Sequence, residues 1–386
     1  MAVKVVFFII CVFGAFFQTQ SASITKIQDI EYVRDIRYVQ LEANNQEYNL
    51  TLVQRIHNTF YEGTPVWTAS SYESENDYKI WKVFFKDRQI RGIFYDDHEY
   101  MVTVFATYTS EVEEIYYNGL VNIGTKIYKI DSALDVWWQN PYLPEPSDSE
   151  ESPRSSLALC FPDGKMNYLS RDDVTMRSSE NFVINLDPKI LVVVDFDLYS
   201  ELGESIEKVI EYVGTFWNAV DLKFSKLNSP NIQISVTGIL IIEDEDVSII
   251  NSNPESFNEN FAKKVEFVDY DAVFIMTKSS AKTRPNNSPL GSICNRQKSI
   301  VSVQDNTNYE GVLSATYELG HLLNLPHDGS DRAERCTIRS GNRVTFMSTG
   351  LESSKMLTWS ECSRDIIREF AKSEASSCLK NRRRYF

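Results

Sequence analysis

Ala315-Thr316-Tyr317-Glu318-Leu319-Gly320-His321-Leu322-Leu323-Asn324-Leu325-Pro326-His327-Asp328 is the stretch on which the fold of this chain turns. Apolar spacing over residues 312–323 predicts a helix. Positions 317 and 321 lie one helical turn apart on one face, with Glu318 beside it. Asn324 and Pro326 end the helix and let the chain turn, so that His327 swings back toward the same point. Two side chains from a helix and one from the following turn make three ligands of a tetrahedral metal site. The fourth position stays open for water, as in catalytic zinc. A carboxylate at 318 is placed to take the proton of that water.

Outward from this stretch the pattern is that of an α/β layer fold. Residues 190–194 form a continuous aliphatic run, as expected of a strand buried on both faces. Residues 198–219 carry apolar side chains at helical spacing, and a further helix is expected over 365–372. Strands are expected over 232–242, 272–276 and 299–303. Earlier, from residue 24 to about residue 122, strand-like runs rich in β-branched and aromatic residues predominate, at 48–53, 79–85, 89–94 and 99–107. Between these regions residues 144–155 are acidic and proline-broken, a linker. The expected organisation is a signal peptide over 1–22, a β-rich domain over 23–188 and an α/β domain over 189–386.

The chain has 386 residues, 42% hydrophobic and 24% charged, an ordinary globular composition. A net charge of −15 repels polyphosphate, which argues against nucleic-acid or anionic-membrane partners. Lys4 and the apolar run to Phe17, followed by small residues, read as a secretory signal, too short for a membrane span. An oxidising compartment follows. Cys11 leaves with the signal, and Cys160, Cys294, Cys336, Cys362 and Cys378 remain, an odd number. Asn49 and Asn286 open glycosylation sequons, the second weakened by Pro289. Only four histidines are available, so a histidine metal site draws on a small set.

The quoted segment resembles the metzincin zinc motif H-E-x-x-H-x-x-G-x-x-H, and the trailing Asp328 marks the reprolysin (adamalysin-like) branch. Phe346-Met347-Ser348 resembles that family's Met-turn, and Trp359-Ser360-Glu361-Cys362-Ser363 a later family segment. The likeness spans roughly residues 189–381 and is similar to short secreted metalloproteinases of arthropod venoms. It implies a metzincin catalytic domain, a mixed sheet with an active-site helix, preceded by a β-rich propeptide domain. It implies Cys294–Cys378 and Cys336–Cys362 disulfides, one zinc ion, Glu318 as catalytic base, and metal ligands at 317, His321 and His327. Protein substrates or a host protein target, a secreted monomer and the role of a venom toxin complete the implied picture. Cys160 is the candidate switch thiol of a zymogen. A free or intermolecularly paired cysteine is the alternative.

Two departures bear on activity. Position 317 is tyrosine where the motif has histidine. A phenol titrates near pH 10 and must lose its proton to ligate well. Asn324 replaces glycine, a milder change, because asparagine tolerates the positive φ expected there. Asp271 and Asn381 fall where the family places calcium ligands, with ordinary surface polar residues as the alternative. Lys189 stands where it has a glutamate, so no calcium is expected. Two functions follow: a secreted metalloendopeptidase impaired by Tyr317, or an inactive homologue that binds a partner protein through the old substrate cleft.

Overall fold

The computed structural model describes residues 24–33, 35–43, 46–60, 63–72, 74–83, 92–109, 114–123, 126–131, 184–245, 247, 268–278, 288–336, 339–340, 343–348 and 356–380. The signal region, the 144–155 linker, Cys160, Asn286 and Asn381 lie outside them.

The chain opens with β1 (Ile24–Val33), β2 (Ile36–Ala43) and β3 (Gln46–Gln54), followed by β4 (Val66–Tyr72) and β5 (Ser74–Val83), then β6 (Ile93–Asp97), β7 (Val102–Thr109), β8 (Glu114–Ile123) and β9 (Lys126–Asp131). All but β4 and β5 form one antiparallel sheet in the order β1-β2-β3-β6-β7-β8-β9. Alternate residues of β2 and β3, among them Val39, Leu41, Leu50 and Leu52, point into its buried face. Asn49 is on β3 and exposed, as a glycan acceptor must be. Two expected strands shift. Residues 98–101 are a turn, with Met101 at φ 49°, so β7 begins at 102 rather than 99. The strand expected from 89 is described only from 93 and runs on to 97.

The second sheet holds β11 (Lys189–Val194), β13 (Ser235–Ile242), β14 (Ala272–Thr277) and β15 (Ile300–Gln304) in the order β15-β14-β11-β13-β4-β5. Every pairing is parallel except β4–β5, so the sheet is mixed. Short β10 (Asn185–Leu186) and β12 (Asn231–Ile232) pair beside it. The expected strand over 232–242 is thus split in two. Ile190, Val192 and Val194 face one apolar cluster, and Leu191 and Val193 the other. That two-sided burial is why β11 reads as an unbroken aliphatic run.

The helix expected over 198–219 is also two: α1 (Phe196–Glu201) and α2 (Ile206–Ser225). Gly203 at φ +75° and Glu204 at φ 54° reverse the chain between them. Ser205 then restarts it, its hydroxyl accepting from Lys208 N at 3.3 Å. α2 lies under the sheet, presenting Val209, Val213, Phe216, Trp217 and Val220 to the core. α3 (Gly311–Leu322) packs beside α2, and α4 (Glu361–Lys372) follows later. Cys294–Cys378 and Cys336–Cys362 are both bonded, at Cα separations of 5.6 and 6.0 Å. Among the described residues no helix is long and apolar enough to cross a membrane.

Candidate active site

α3 carries the site. Asp305, fully buried, ties down its start. One carboxylate oxygen accepts from Gly311 N at 2.9 Å, and the other from the Tyr212 hydroxyl and from Thr307 N. Burial raises the Asp305 carboxyl to about 6. At its end α3 turns through Asn324, whose φ is 76°, the positive value its place in the motif requires. The Asn324 side chain accepts from Arg332 at 2.9 Å. Leu325 and Pro326 bring the chain round, and His327 returns to the face of α3.

The three candidate ligand positions meet there. The Tyr317 and His321 rings lie 4.5 Å apart between centroids, edge to face. His321 and His327 are 4.9 Å apart, and Tyr317 stacks on His327 at 5.6 Å with an interplanar angle of 18°. His321 is buried and its Nδ1 lies 2.7 Å from the Leu325 carbonyl oxygen. A carbonyl only accepts, so Nδ1 carries the proton and Nε2 keeps its lone pair. Burial lowers His321 to about 4, with His327 adding to the effect, so the ring is neutral at pH 7.

Tyr317 changes what the cluster can hold. Burial, with a smaller push from the Glu318 carboxylate, raises the phenol to about 12. It is therefore protonated at neutral pH, and it is hydrogen-bonded to His327 Nε2. The nitrogen that would offer a lone pair to a metal is engaged by a neighbouring side chain. A tetrahedral zinc of the three-imidazole kind needs three lone pairs converging at about 2.0–2.1 Å. The cluster offers one open imidazole nitrogen, one imidazole nitrogen already bonded, and a neutral phenol. These residues do not fit the ion in this arrangement. Among the described residues no group of three or more His, Cys, Asp or Glu side chains is gathered to hold a metal.

Glu318 is almost fully buried beside the cluster and accepts from the Ser288 hydroxyl at 2.6 Å. The segment around Ser288 is seated on the end of α3, with Gly291 N donating to His321 O at 3.0 Å and Ile293 N to Leu322 O at 3.2 Å. Met347 is fully buried beneath α3. A Cβ at Gly320 would lie 2.7 Å from its sulfur, so any larger residue there would push the methionine aside. Asp328 accepts from Ser360 at 2.6 Å while Ser360 caps α4 by accepting from Ser363 N at 3.0 Å. That bond joins the end of the motif to the late 359–363 segment. Ser288 entered the sequence reading only as the end of the Asn286 sequon, and neither the Leu325 carbonyl nor Gly320 was assigned a role there. Ser288 lies thirty positions before Glu318, and nothing in local spacing signals its contact.

Of the two calcium-ligand positions, Asp271 is described; it is buried and accepts from Lys189 N at 3.0 Å. The Lys189 ammonium pairs instead with Asp269, at 2.6 Å.

Residues 189–383 match the profile of the Reprolysin (M12B) family zinc metalloprotease. The chain is 27% identical to Venom metalloproteinase 3 of Eulophus pennicornis over 376 residues, 91% of this chain and 88% of that protein. It is 35% identical to Venom metalloproteinase 2 of the same organism over 37% of this chain and 40% of that protein. It is 24% identical to the human A disintegrin and metalloproteinase with thrombospondin motifs 16, over 62% of this chain and 19% of that protein.

Proposed function

This chain belongs to the reprolysin (M12B) family of zinc metalloproteases, and we propose that it is a secreted, venom-type member whose peptidase activity is silenced and whose role is to bind a protein target. One observation carries the proposal: the protonated Tyr317 phenol is hydrogen-bonded to His327 Nε2, closing the ligand cluster on itself. A reprolysin with a loaded site obtains from zinc a polarised scissile carbonyl and an activated water. Here the chain's own groups are committed to one another. His321 is oriented by Leu325, His327 is held by Tyr317, and Glu318 is held by Ser288. α3, the turn through Asn324 and the buried Met347 against Gly320 are all present around the closed cluster, which supports a role other than cleavage. Secretion and the venom setting rest on the signal-like residues 1–22 and on relatives named venom metalloproteinases.

The test is zinc per chain, by elemental analysis after dialysis against metal-free buffer, together with casein hydrolysis. The wild-type chain is expected to carry far less than one zinc and to leave casein intact. Tyr317→His is expected to take up one zinc and to gain hydrolysis that Glu318→Ala then abolishes. A wild-type chain with one zinc and Glu318-dependent hydrolysis would overturn the proposal and make Tyr317 a working ligand.

A further inference from the structure

The resemblance reads the first part of the chain as a propeptide, a segment apart from the working domain. Its residues are built into the core of the rest. β4 pairs in parallel with β13, Val66–Ala69 against Ile239–Ile242, and β5 closes its other side. Trp67 and Ala69 share one apolar cluster with Leu191, Val193, Leu240 and Ile242. Phe60, Val66 and Leu120 share the other with α2 and α3. The Trp67 ring sits so close to β13 that a Cβ at Gly238 would come within 2.6 Å of it. Without β4, the outer edge of β13 would present unpaired backbone groups along a hydrophobic strand.

A second, polar set of contacts joins the same two parts. Arg55 forms ion pairs with Asp96 of its own sheet and with Asp221 of α2, all three side chains nearly buried. Thr59 donates from N and Oγ1 to Asn218 Oδ1 at 2.8 and 2.9 Å. Lys223 Nζ, fully buried, donates to Asn122 Oδ1 at 2.8 Å. Val236 N donates to Thr59 O at 2.7 Å, and the Tyr309 hydroxyl to Asn118 Oδ1 at 3.3 Å. Parting the two would strand a carboxylate, an amide and an ammonium on α2, the helix against which α3 packs. Continuous sheet, shared apolar core and dry charge pairs mark a permanent interface rather than one made for release.

We infer that residues 24–131 are a permanent half of the folded core. Cutting the chain within 132–183 then yields a two-chain molecule, not a free 184–386 domain. The occupant of the β13 edge and of the outer face of α2 is the chain's own N-terminal half.

The test is made on the full chain. A recognition sequence for a site-specific protease replaces part of residues 144–155, and the purified protein is nicked to completion, as judged on a denaturing gel. Residues 23–149 contain no cysteine, so no disulfide can hold the pieces together. Both pieces are expected to leave a size-exclusion column together at the volume of the intact chain, and to separate only in denaturant. Separation in native buffer would overturn the inference. Hydrogen exchange on the uncut chain gives a second reading: amides of residues 66–72 are expected to exchange as slowly as those of 189–194. Exchange about a hundredfold faster at 66–72 would show that β4 opens on its own, and would equally overturn it.

Discussion

Lys223→Met probes the buried charge of α2 through pH. The Lys223 ammonium is fully buried and donates to Asn122 Oδ1 at 2.8 Å and to Ala219 O at 3.5 Å. Burial lowers its pKa from 10.5 to about 7, against a smaller upward pull from Asp96. Below pH 7 the folded and unfolded chains both carry the proton, and the folded state bears the full cost of the buried charge. Between pH 7 and 10.5 the unfolded chain binds more protons than the folded one, so this group makes stability rise with pH. Three to four pKa units at about 1.4 kcal/mol each set that cost at roughly 5 kcal/mol at most. Methionine removes the charge but leaves the Asn122 carbonyl oxygen without its donor, a loss of about 1–3 kcal/mol. At pH 6 the variant is therefore expected to be more stable than the wild type by about 2–4 kcal/mol. The advantage shrinks by about 1.4 kcal/mol per pH unit above 7 and reverses between about pH 8.5 and 10. Urea unfolding of both proteins by tryptophan fluorescence, from pH 5.5 to 10 at fixed ionic strength, gives the difference curve. Titrating groups not coupled to Lys223 cancel in that difference. A flat curve, or a variant less stable at pH 6, would refute the reasoning.

Arg55→Ala leaves Asp96 and Asp221 buried without their shared cation and is expected to cost about 3–5 kcal/mol, read from the urea midpoint at pH 7. The Cys294–Cys378 bridge spans 84 residues and the Cys336–Cys362 bridge 26. Alanine pairs at each are expected to cost about 4.5 and 3.5 kcal/mol respectively, so the longer loop should show the lower melting temperature. At Asn324, φ 76° admits glycine freely and a β-branched residue poorly. Asn324→Val is expected to lower stability by about 2 kcal/mol or more and Asn324→Gly by less than about 1 kcal/mol, a difference visible by calorimetry.

Much of the site was legible because its parts are close in sequence. The spacing from 317 to 321 to 327 is a property of one helix and one turn. Those few residues determined that the three side chains converge, and the structure brings their rings within 4.5–5.6 Å. The positive φ at Asn324 follows from the same local demand. The aliphatic run of β11 announced a doubly buried strand, and the family likeness carried both disulfides. Helix periodicity was misleading over 198–219, where it ran through Gly203 and Glu204 without registering that the chain reverses there.

What the sequence by itself determined, then, was the α/β class, the helix–turn that gathers Tyr317, His321 and His327, and the chemical misfit of a phenol among imidazoles. Only the tertiary structure decided that the phenol keeps its proton and bonds His327, and what holds Glu318. Those answers depend on burial and on Ser288, which lies far from the motif in the chain. The partner of β13 was likewise beyond the reach of sequence. A strand records in its alternation which face it buries. It does not record which distant strand pairs with its edge, because the backbone groups that make the pairing are the same in every residue.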